Sequence, residues 1–436
     1  MRGWEMSEWK NGCLADLAVV KAGYSFRSSE FTDTGRRLIK ISNIQKSNVC
    51  VQENDVFICN NPSYEDFELQ ENEVLIALSG ATTGKVGKVK KDVLPAYLNQ
   101  RVGKYEANAG GCIDFIYFVV TSHAYYNFIV NNCPSSAQPN VSPKFLESIP
   151  IIFPTSLPEQ RKIARILSAV DAVIEKAEAA IAKYKAIKSG MMRDLFTRGI
   201  DLKTGKLRPR YEDAPELYKQ SWLGWVPKEW EVVSVEQFAS KDKNAIVDGP
   251  FGSNLKTIHY KTEGVPIIQS GFVTSNRFHA EEYLYVTKEK FISEIRSKVS
   301  PGDIVMAKIG AQCGTSAILP SNHPISILAG NCLKITVSRT NSNVFFEHYL
   351  HYLYDTKMIF LIISTTAQPA VSMSSLKLMS VIQPSSDEQI LIAKRINIVA
   401  LSEITEASVL TKYQQLKAAL MSDLLTGKAR VKVSEP

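Results

Sequence analysis

The sequence predicts two mixed α/β domains, each trailed by one long helix, with the two helices meeting along a coiled-coil-like seam. Three observations lead there. A polar heptad, Ser136-Ala137-Gln138-Pro139-Asn140-Val141-Ser142, returns 230 positions later as Thr366-Ala367-Gln368-Pro369-Ala370-Val371-Ser372. Short β-rich runs such as Leu38-Ile39-Lys40-Ile41, Val74-Leu75-Ile76-Ala77 and Ile335-Thr336-Val337 sit between Gly, Asn, Ser and Pro turns. Two stretches of about 40 residues nearly lack Gly and Pro and space their apolar residues by threes and fours.

The heptad is one point on a long internal diagonal. Gly3-Trp4 and Glu8-Trp9 recur as Gly224-Trp225 and Glu229-Trp230, and Glu73 to Ala77 recurs as Asp303 to Ala307. The loop Gly80-Ala81-Thr82-Thr83-Gly84 answers to Gly310-Ala311-Gln312-Cys313-Gly314, and Glu159-Gln160 to Glu388-Gln389. The offset holds at 229 or 230 from about residue 39 to residue 197 and falls to 221 at the N-terminus, so insertions lie early. Copies of this length are too long for solenoid repeats, so each is a domain plus an appendage. Aromatic-rich segments, Phe115 to Tyr126 and Val344 to Tyr354, read as helices within the domains.

The first domain is expected over 1–155 and its helix over 156–200. Ser156-Leu157-Pro158-Glu159 opens that helix with a capping hydroxyl, a first-turn Pro and a Glu three residues on. Its seam runs through Ile163, Ile166, Val170, Val173 and Ala177, then less strictly through Ile181, Tyr184 and Ile187. Residues 201–221 carry no apolar period and read as a linker. The second domain spans 222–384 and the second helix 385–428, opened by Ser385-Ser386-Asp387-Glu388. Its seam is Ile392, Ile396, Val399, Leu410, Tyr413, Leu416, Leu420 and Leu424, with Gly427 as a C-cap. A 40-residue helix is roughly 60 Å long, enough for the two stripes to bury one another.

Composition limits the function classes. The 436 residues are 45% hydrophobic and 22% charged, an ordinary globular balance with room for two or three domains. No run of about 18 apolar residues appears, so no membrane span is expected. The N-terminal MRGWEMSEWKNG lacks the apolar block of a secretory signal. Seven cysteines without a CxxC pair point to reduced thiols, a cytoplasmic setting and no structural zinc. A net charge of +7, shared by both halves, makes nucleic acid a permitted partner.

The search for catalysis is negative. Gly80 to Lys85 resembles a phosphate loop, but only three residues separate its glycines and Val86 follows the lysine. Asn61-Pro62-Ser63-Tyr64 resembles the Asn-Pro-Pro-Tyr motif of adenine methyltransferases, yet it lacks the second Pro, a methyl-donor glycine motif and a counterpart in the second copy. Asp303 and Lys308 suggest a nuclease fragment without its accessory carboxylates. His348 and His351 could face one metal on a helix, but no third ligand is evident, so they read as helix histidines. No catalytic residue, metal site or cofactor of its own is therefore assigned.

What repeats is polar. Gln138, Asn140 and Ser142, and again Gln368 and Ser372, offer amides and hydroxyls beside a stiffening Pro. Such groups read base edges or grip phosphates. Lys85, Lys88, Asn99, Gln100 and Arg101 accompany them in the first copy, and Asn254, Lys256, Lys308, Gln312 and Asn331 in the second. This set fits double-stranded DNA readout. A structural turn packing the sheet onto the long helix explains the heptad equally well.

The doubled order of these motifs resembles the specificity (S) subunits of type I restriction-modification systems. The resemblance rests on the AQPxVS segment, a Pro about twelve residues on, and Glu159-Gln160 or Glu388-Gln389 opening a long helix. It rests too on the helix endings Asp194-Leu195-Phe196-Thr197 and Asp423-Leu424-Leu425-Thr426, on Gly224-Trp225-Val226-Pro227, and on Asp248-Gly249-Pro250-Phe251-Gly252-Ser253. It implies two target-recognition domains joined by antiparallel helices in a pseudo-two-fold arrangement. It further implies an asymmetric bipartite DNA target, two docked modification subunits that methylate adenine, and restriction subunits for cleavage. S-adenosylmethionine, ATP and Mg would then belong to those partners, and this chain would be no enzyme. For partner docking the expected residues are Ile163, Ile166, Val170, Ile181, Tyr184, Ile392, Val399, Leu410, Tyr413 and Leu420. The rival reading is a coiled-coil scaffold without DNA specificity.

Overall fold

The computed structural model describes residues 8–45, 47–133, 140–250, 252–364 and 368–432, with backbone alone at 253, 275 and 276. The chain divides into two units, Met1–Glu178 with Ala407–Pro436, and Ala179–Glu406. The division falls inside both long helices, Leu157–Thr197 and Ser386–Leu424. A sequence copy is therefore not a spatial unit: each unit takes the start of one long helix and the end of the other.

In the first unit a six-stranded sheet is ordered Ala18–Ala22, Val102–Ala107, Val74–Ala77, Val86–Lys88, Ser47–Val49, Ile44–Gln45. A four-stranded sheet holds Ala96–Leu98, Arg36–Ile39, Phe57–Ile58 and Phe31–Thr32. The strand Val74–Ala77 explains the layering, because all four residues are buried. Side chains alternate across a strand. Val74 and Ile76 enter a core with Phe115 and Phe118 of helix Ile113–Val120 and with Ile163, Ala164 and Leu167 of the first long helix. Leu75 and Ala77 enter a second core with Ile39, Ala96 and Leu98 of the other sheet.

The second unit repeats this plan in its own residues. Its main sheet is ordered Ile246–Asp248, Cys332–Ile335, Ile304–Ala307, Ser316–Ile318. Met306 pairs with Leu333 as Ile76 pairs with Gly103, 230 residues earlier. Ile304 and Met306 face Phe345, Phe346 and Leu350 of helix Asn343–Asp355, together with Ile392 and Ile396. Val305 and Ala307 face Ile268 and Leu328. The duplication thus extends from motif to topology.

The long helices run antiparallel within each unit. In the first, Ile163 shares a core with Leu424, and Asp171 meets Lys417 at 2.6 Å. In the second, Phe196 shares a core with Ile392, and Lys188 meets Glu403 at 2.9 Å. The expected seam needs revision. Ile163 and Ile392 serve the domain cores, with Ile166 and Leu420 packed at the edge of the first, because the helix ends lie against the sheets. Val170 is buried, whereas Ile181, Tyr184, Val399, Leu410 and Tyr413 are half-buried. Ile187 and Leu416 are exposed at 43% and 45%, so the helix interiors carry a thin apolar stripe supplemented by ion pairs.

Each long helix begins with the same polar anchor. Gln160 donates to the Gly110 and Pro154 carbonyls and accepts from the Cys112 amide; Gln389 donates to the Pro384 carbonyl and Asn341 and accepts from the Ser342 amide. Beside them sit buried carboxylates. Glu388 accepts from Arg208 Nη1 at 2.5 Å, Arg208 Nη2 at 3.1 Å, Trp230 Nε1 at 3.0 Å and the Ile200 amide at 2.7 Å. Glu159 accepts from Trp9 Nε1 at 3.3 Å and from Arg430 Nε and Nη2 at 3.1 and 3.2 Å.

Arg208 lies in the expected linker, and that expectation is corrected here. Ile200–Asp201 pairs with Lys206–Leu207, Tyr218–Ser221 pairs with Gly224–Pro227, and Tyr211 stacks on Trp225 at 4.2 Å. Short hairpins and one buried guanidinium need no apolar period, so periodicity could not show them. The legible signal was a second repeat: Thr204-Gly205-Lys206-Leu207-Arg208 returns as Thr426-Gly427-Lys428-Ala429-Arg430. Arg208→Ala should strand a buried carboxylate and destabilise the second unit by roughly 3–5 kcal/mol. Arg430→Ala, whose side chain is 28% exposed, should cost less. Urea unfolding of the two variants against the parent chain checks both the loss and the ranking.

Candidate nucleic-acid interface

The doubled heptad enters the fold at the same point in both units. Its end crosses the tip of the central strand: the Val141 amide donates to the Leu78 carbonyl and the Val371 amide to the Lys308 carbonyl, each at 2.8 Å. Isolated bridges Ser79–Asn140 and Ile309–Ala370 accompany these bonds. The Ser142 hydroxyl then accepts the Phe145 amide and caps helix Pro143–Glu147, while Ser372 accepts the Ser375 amide and caps Met373–Leu378. Both serines thus hold structural positions. Gln138 lies outside the described residues.

In the first unit this crossing walls a groove of about 680 Å³. Gln100, Arg101, Asn140 and Ser142 line it, with Ser79 and Gly80. All four of the first group are exposed. The Ser79 hydroxyl oxygen, also in the wall, is buried without a hydrogen-bond partner among the described residues. The corner itself is tightly made. Asn99 Oδ1 accepts the Arg101 amide at 3.2 Å, and the Gln100 amide donates to the Tyr24 carbonyl at 2.8 Å. Lys85 is exposed, whereas Lys88 is held by Asp114 at 2.9 Å over the Tyr117 ring.

Gly23 is what lets the neighbouring chain reach this corner. A Cβ there would lie 2.2 Å from the Leu98 carbonyl oxygen; at Gly249, its counterpart, a Cβ would lie 1.9 Å from that of Ala329. Tyr24, exposed and bonded through its carbonyl to the Gln100 amide, stands beside this corner and was not named in the sequence reading. The doubled glycine before it was the available signal.

The second unit keeps the scaffold and changes the groups. The corner Asn99-Gln100-Arg101 becomes Ala329-Gly330-Asn331. Asn331 is half-buried and clamps Ser270, its Nδ2 donating to Oγ at 2.8 Å and its Oδ1 accepting the amide at 3.4 Å. Lys308 Nζ lies 2.7 Å from Asp248 Oδ2, with Arg296 on the other oxygen. Burial alone would raise the Asp248 carboxyl, but Lys308 and then Arg296 outweigh it and hold it below its usual range. The charge of Lys308 is thus already matched inside the fold. Asn254, Lys256, Gln312 and Gln368 are exposed, the first two on one segment and the others on two further loops.

The loops set aside as catalytic have structural explanations. Gly80, Gly84, Gly310 and Gly314 all carry positive φ, so the repeated loop is a tight turn between strands. Asn61 caps a short 3-10 helix, its Oδ1 accepting the Ser63 amide. Asp303 accepts from Thr336 and Lys334 within the sheet.

The type I restriction modification DNA specificity domain matches this chain twice, over residues 6–183 and 227–414. The type I restriction enzyme MjaVIII specificity subunit of Methanocaldococcus jannaschii is 25% identical over 370 residues, 84% of this chain and 80% of that one. The EcoAI specificity subunit of Escherichia coli is 33% identical over 181 residues, 40% of this chain and 28% of its own. Among solved structures, the type I restriction-modification S subunit from M. genitalium aligns with a TM-score of 0.62 at 15% identity, covering 96% of each chain. That likeness is one of fold.

Gly23→Ala should break the corner, because a backbone carbonyl cannot yield to the new methyl group. Ser142→Ala should cost only about 1 kcal/mol, the value of a helix cap. Thermal unfolding should therefore rank Gly23→Ala well below Ser142→Ala.

Proposed function

This chain belongs to the type I restriction-modification DNA specificity family, and we propose that it reads an asymmetric, two-part DNA target for such a complex. The observation that carries this reading is the recurrence of one scaffold with different groups. Both units bring Asn140-Val141 or Ala370-Val371, the end of the AQPxVS segment, across the central strand tip, but one presents Gln100 and Arg101 where the other has Gly330 and a tied-down Asn331. Equivalent frames with unlike side chains suit two unlike half-sites.

On this reading the affinity comes from phosphate neutralisation and falls with salt. Specificity comes from base-edge contacts, each worth roughly 1–3 kcal/mol. Arg101, exposed on the groove, is the strongest candidate for a bidentate contact. The two long helices dock two modification subunits, which flip the target adenine out of the duplex to methylate it. Restriction subunits add cleavage. S-adenosylmethionine, ATP and Mg belong to these partners, and the complex works in the cytoplasm.

Genome-wide mapping of methylated adenine, with and without this gene and with its partner genes intact, tests the proposal. Loss of one gapped, two-part motif is the expected outcome. An unchanged map, together with equal binding of scrambled and motif duplexes by the purified complex at physiological salt, would sink it. Arg101→Ala should weaken binding by roughly 1–3 kcal/mol on the parent duplex. It should also erase the penalty for base changes in one half of the target only, measured on duplexes altered in each half separately.

A further inference from the structure

We propose that Glu347, His348 and His351 form a site for one divalent cation of the zinc class, in the second unit and independent of the DNA reading. The three ligand atoms lie within 4.8 Å of one another on helix Asn343–Asp355. Sequence spacing offered only the two histidines; the third donor is the neighbouring Glu347, whose side chain turns to the same point.

The hydrogen bonds around His348 call for a cation. Its Nε2 lies 2.7 Å from Asn397 Oδ1, an acceptor, so Nε2 carries the ring proton. A neutral imidazole then has a lone pair at Nδ1. That atom lies 3.1 Å from Glu347 Oε2, a second lone-pair donor. Two lone pairs at this distance repel unless a positive charge lies between them. The other carboxylate oxygen, Oε1, lies 3.0 Å from His351 Nε2, which is also 3.0 Å from the Ser316 carbonyl oxygen; between these two acceptors the nitrogen carries a proton, which a bound ion would displace.

A tetrahedral ion bound at about 2.1 Å sets its ligands about 3.4 Å apart. The 3.0 and 3.1 Å gaps run to different oxygens of the Glu347 carboxylate, and the three ligand atoms lie within 4.8 Å of one another, so small side-chain shifts would bring them to that spacing. Two imidazoles and one carboxylate suit zinc and its neighbours rather than calcium or magnesium, which prefer all-oxygen cages. The Asn397 contact orients a ligating imidazole by fixing the proton on its far nitrogen. The Ser316 carbonyl or a water would complete the shell. Such an ion would fasten this helix to the second long helix through Asn397 and to the strand Ser316–Ile318. The rival cation is a second proton on the His348 ring.

The test uses the full chain after chelator treatment, with Co²⁺ as the spectroscopic probe and Zn²⁺ as competitor. One Co²⁺ should bind with visible d–d absorption and no near-ultraviolet thiolate band, and one equivalent of Zn²⁺ should displace it. His351→Gln and His348→Gln should each abolish the d–d absorption while keeping the parent far-ultraviolet circular dichroism. Asn397→Ala, which removes no ligand, should weaken binding by about tenfold. Absence of d–d absorption, a thiolate band, or Co²⁺ uptake unchanged in the His348→Gln/His351→Gln double variant would each overturn the proposal.

Discussion

A buried carboxylate at the start of each long helix is the constraint on which the rest of the structure depends. Glu388 has no water to solvate it, so four protein hydrogen bonds must do so: two from Arg208, one from Trp230 and one from the Ile200 amide. These donors come from the segment that follows the first long helix, Ile200 and Arg208, and from Trp230, just before the strand Glu231–Ser234 that enters the second domain. The carboxylate therefore fixes where one helix ends, where the next begins and how the domain is entered. Glu159 does the same for the first unit with Trp9 and Arg430. The adjacent Gln160 and Gln389 extend the anchor to the turns that precede the domain helices. A charge that is costly to bury gives a geometry that is costly to leave.

From that anchor the groove of the first unit follows. The long helix fixes one face of the central sheet through Ile163 and Leu167, or through Ile392 and Ile396. The sheet fixes the tip of its central strand, and the end of the heptad is laced across that tip by a backbone hydrogen bond from Val141 or Val371. The amides and cations at the corner are thus free to differ between units without disturbing the frame. The frame is shared between the units, and the exposed groups it carries are local to each.

The duplication and both long helices were legible because each leaves a signal that needs no tertiary knowledge. A repeated heptad survives divergence, and 40-odd residues nearly without Gly or Pro admit few other forms. The segment after the first helix was misread for the opposite reason. Its order comes from Arg208, a residue type that usually marks solvent, and nothing local says that Glu388 lies opposite. The same blindness affected the site. Gln100, Arg101, Asn140 and Ser142 do share a groove, but Lys308 and Asn331 are committed to Asp248 and Ser270. Sequence displays charges and amides without their partners, and partners decide which are available to a ligand.

The division of the chain inside its two helices also sets an order of assembly during synthesis. The second unit is one continuous stretch, Ala179–Glu406, whereas the first needs both Met1–Glu178 and Ala407–Pro436. Leu424 and Leu425 belong to the core of the first unit, and Arg430 to its anchor. The domain that leaves the ribosome first is therefore the one completed last, waiting with part of its core uncovered until the final residues of the chain arrive.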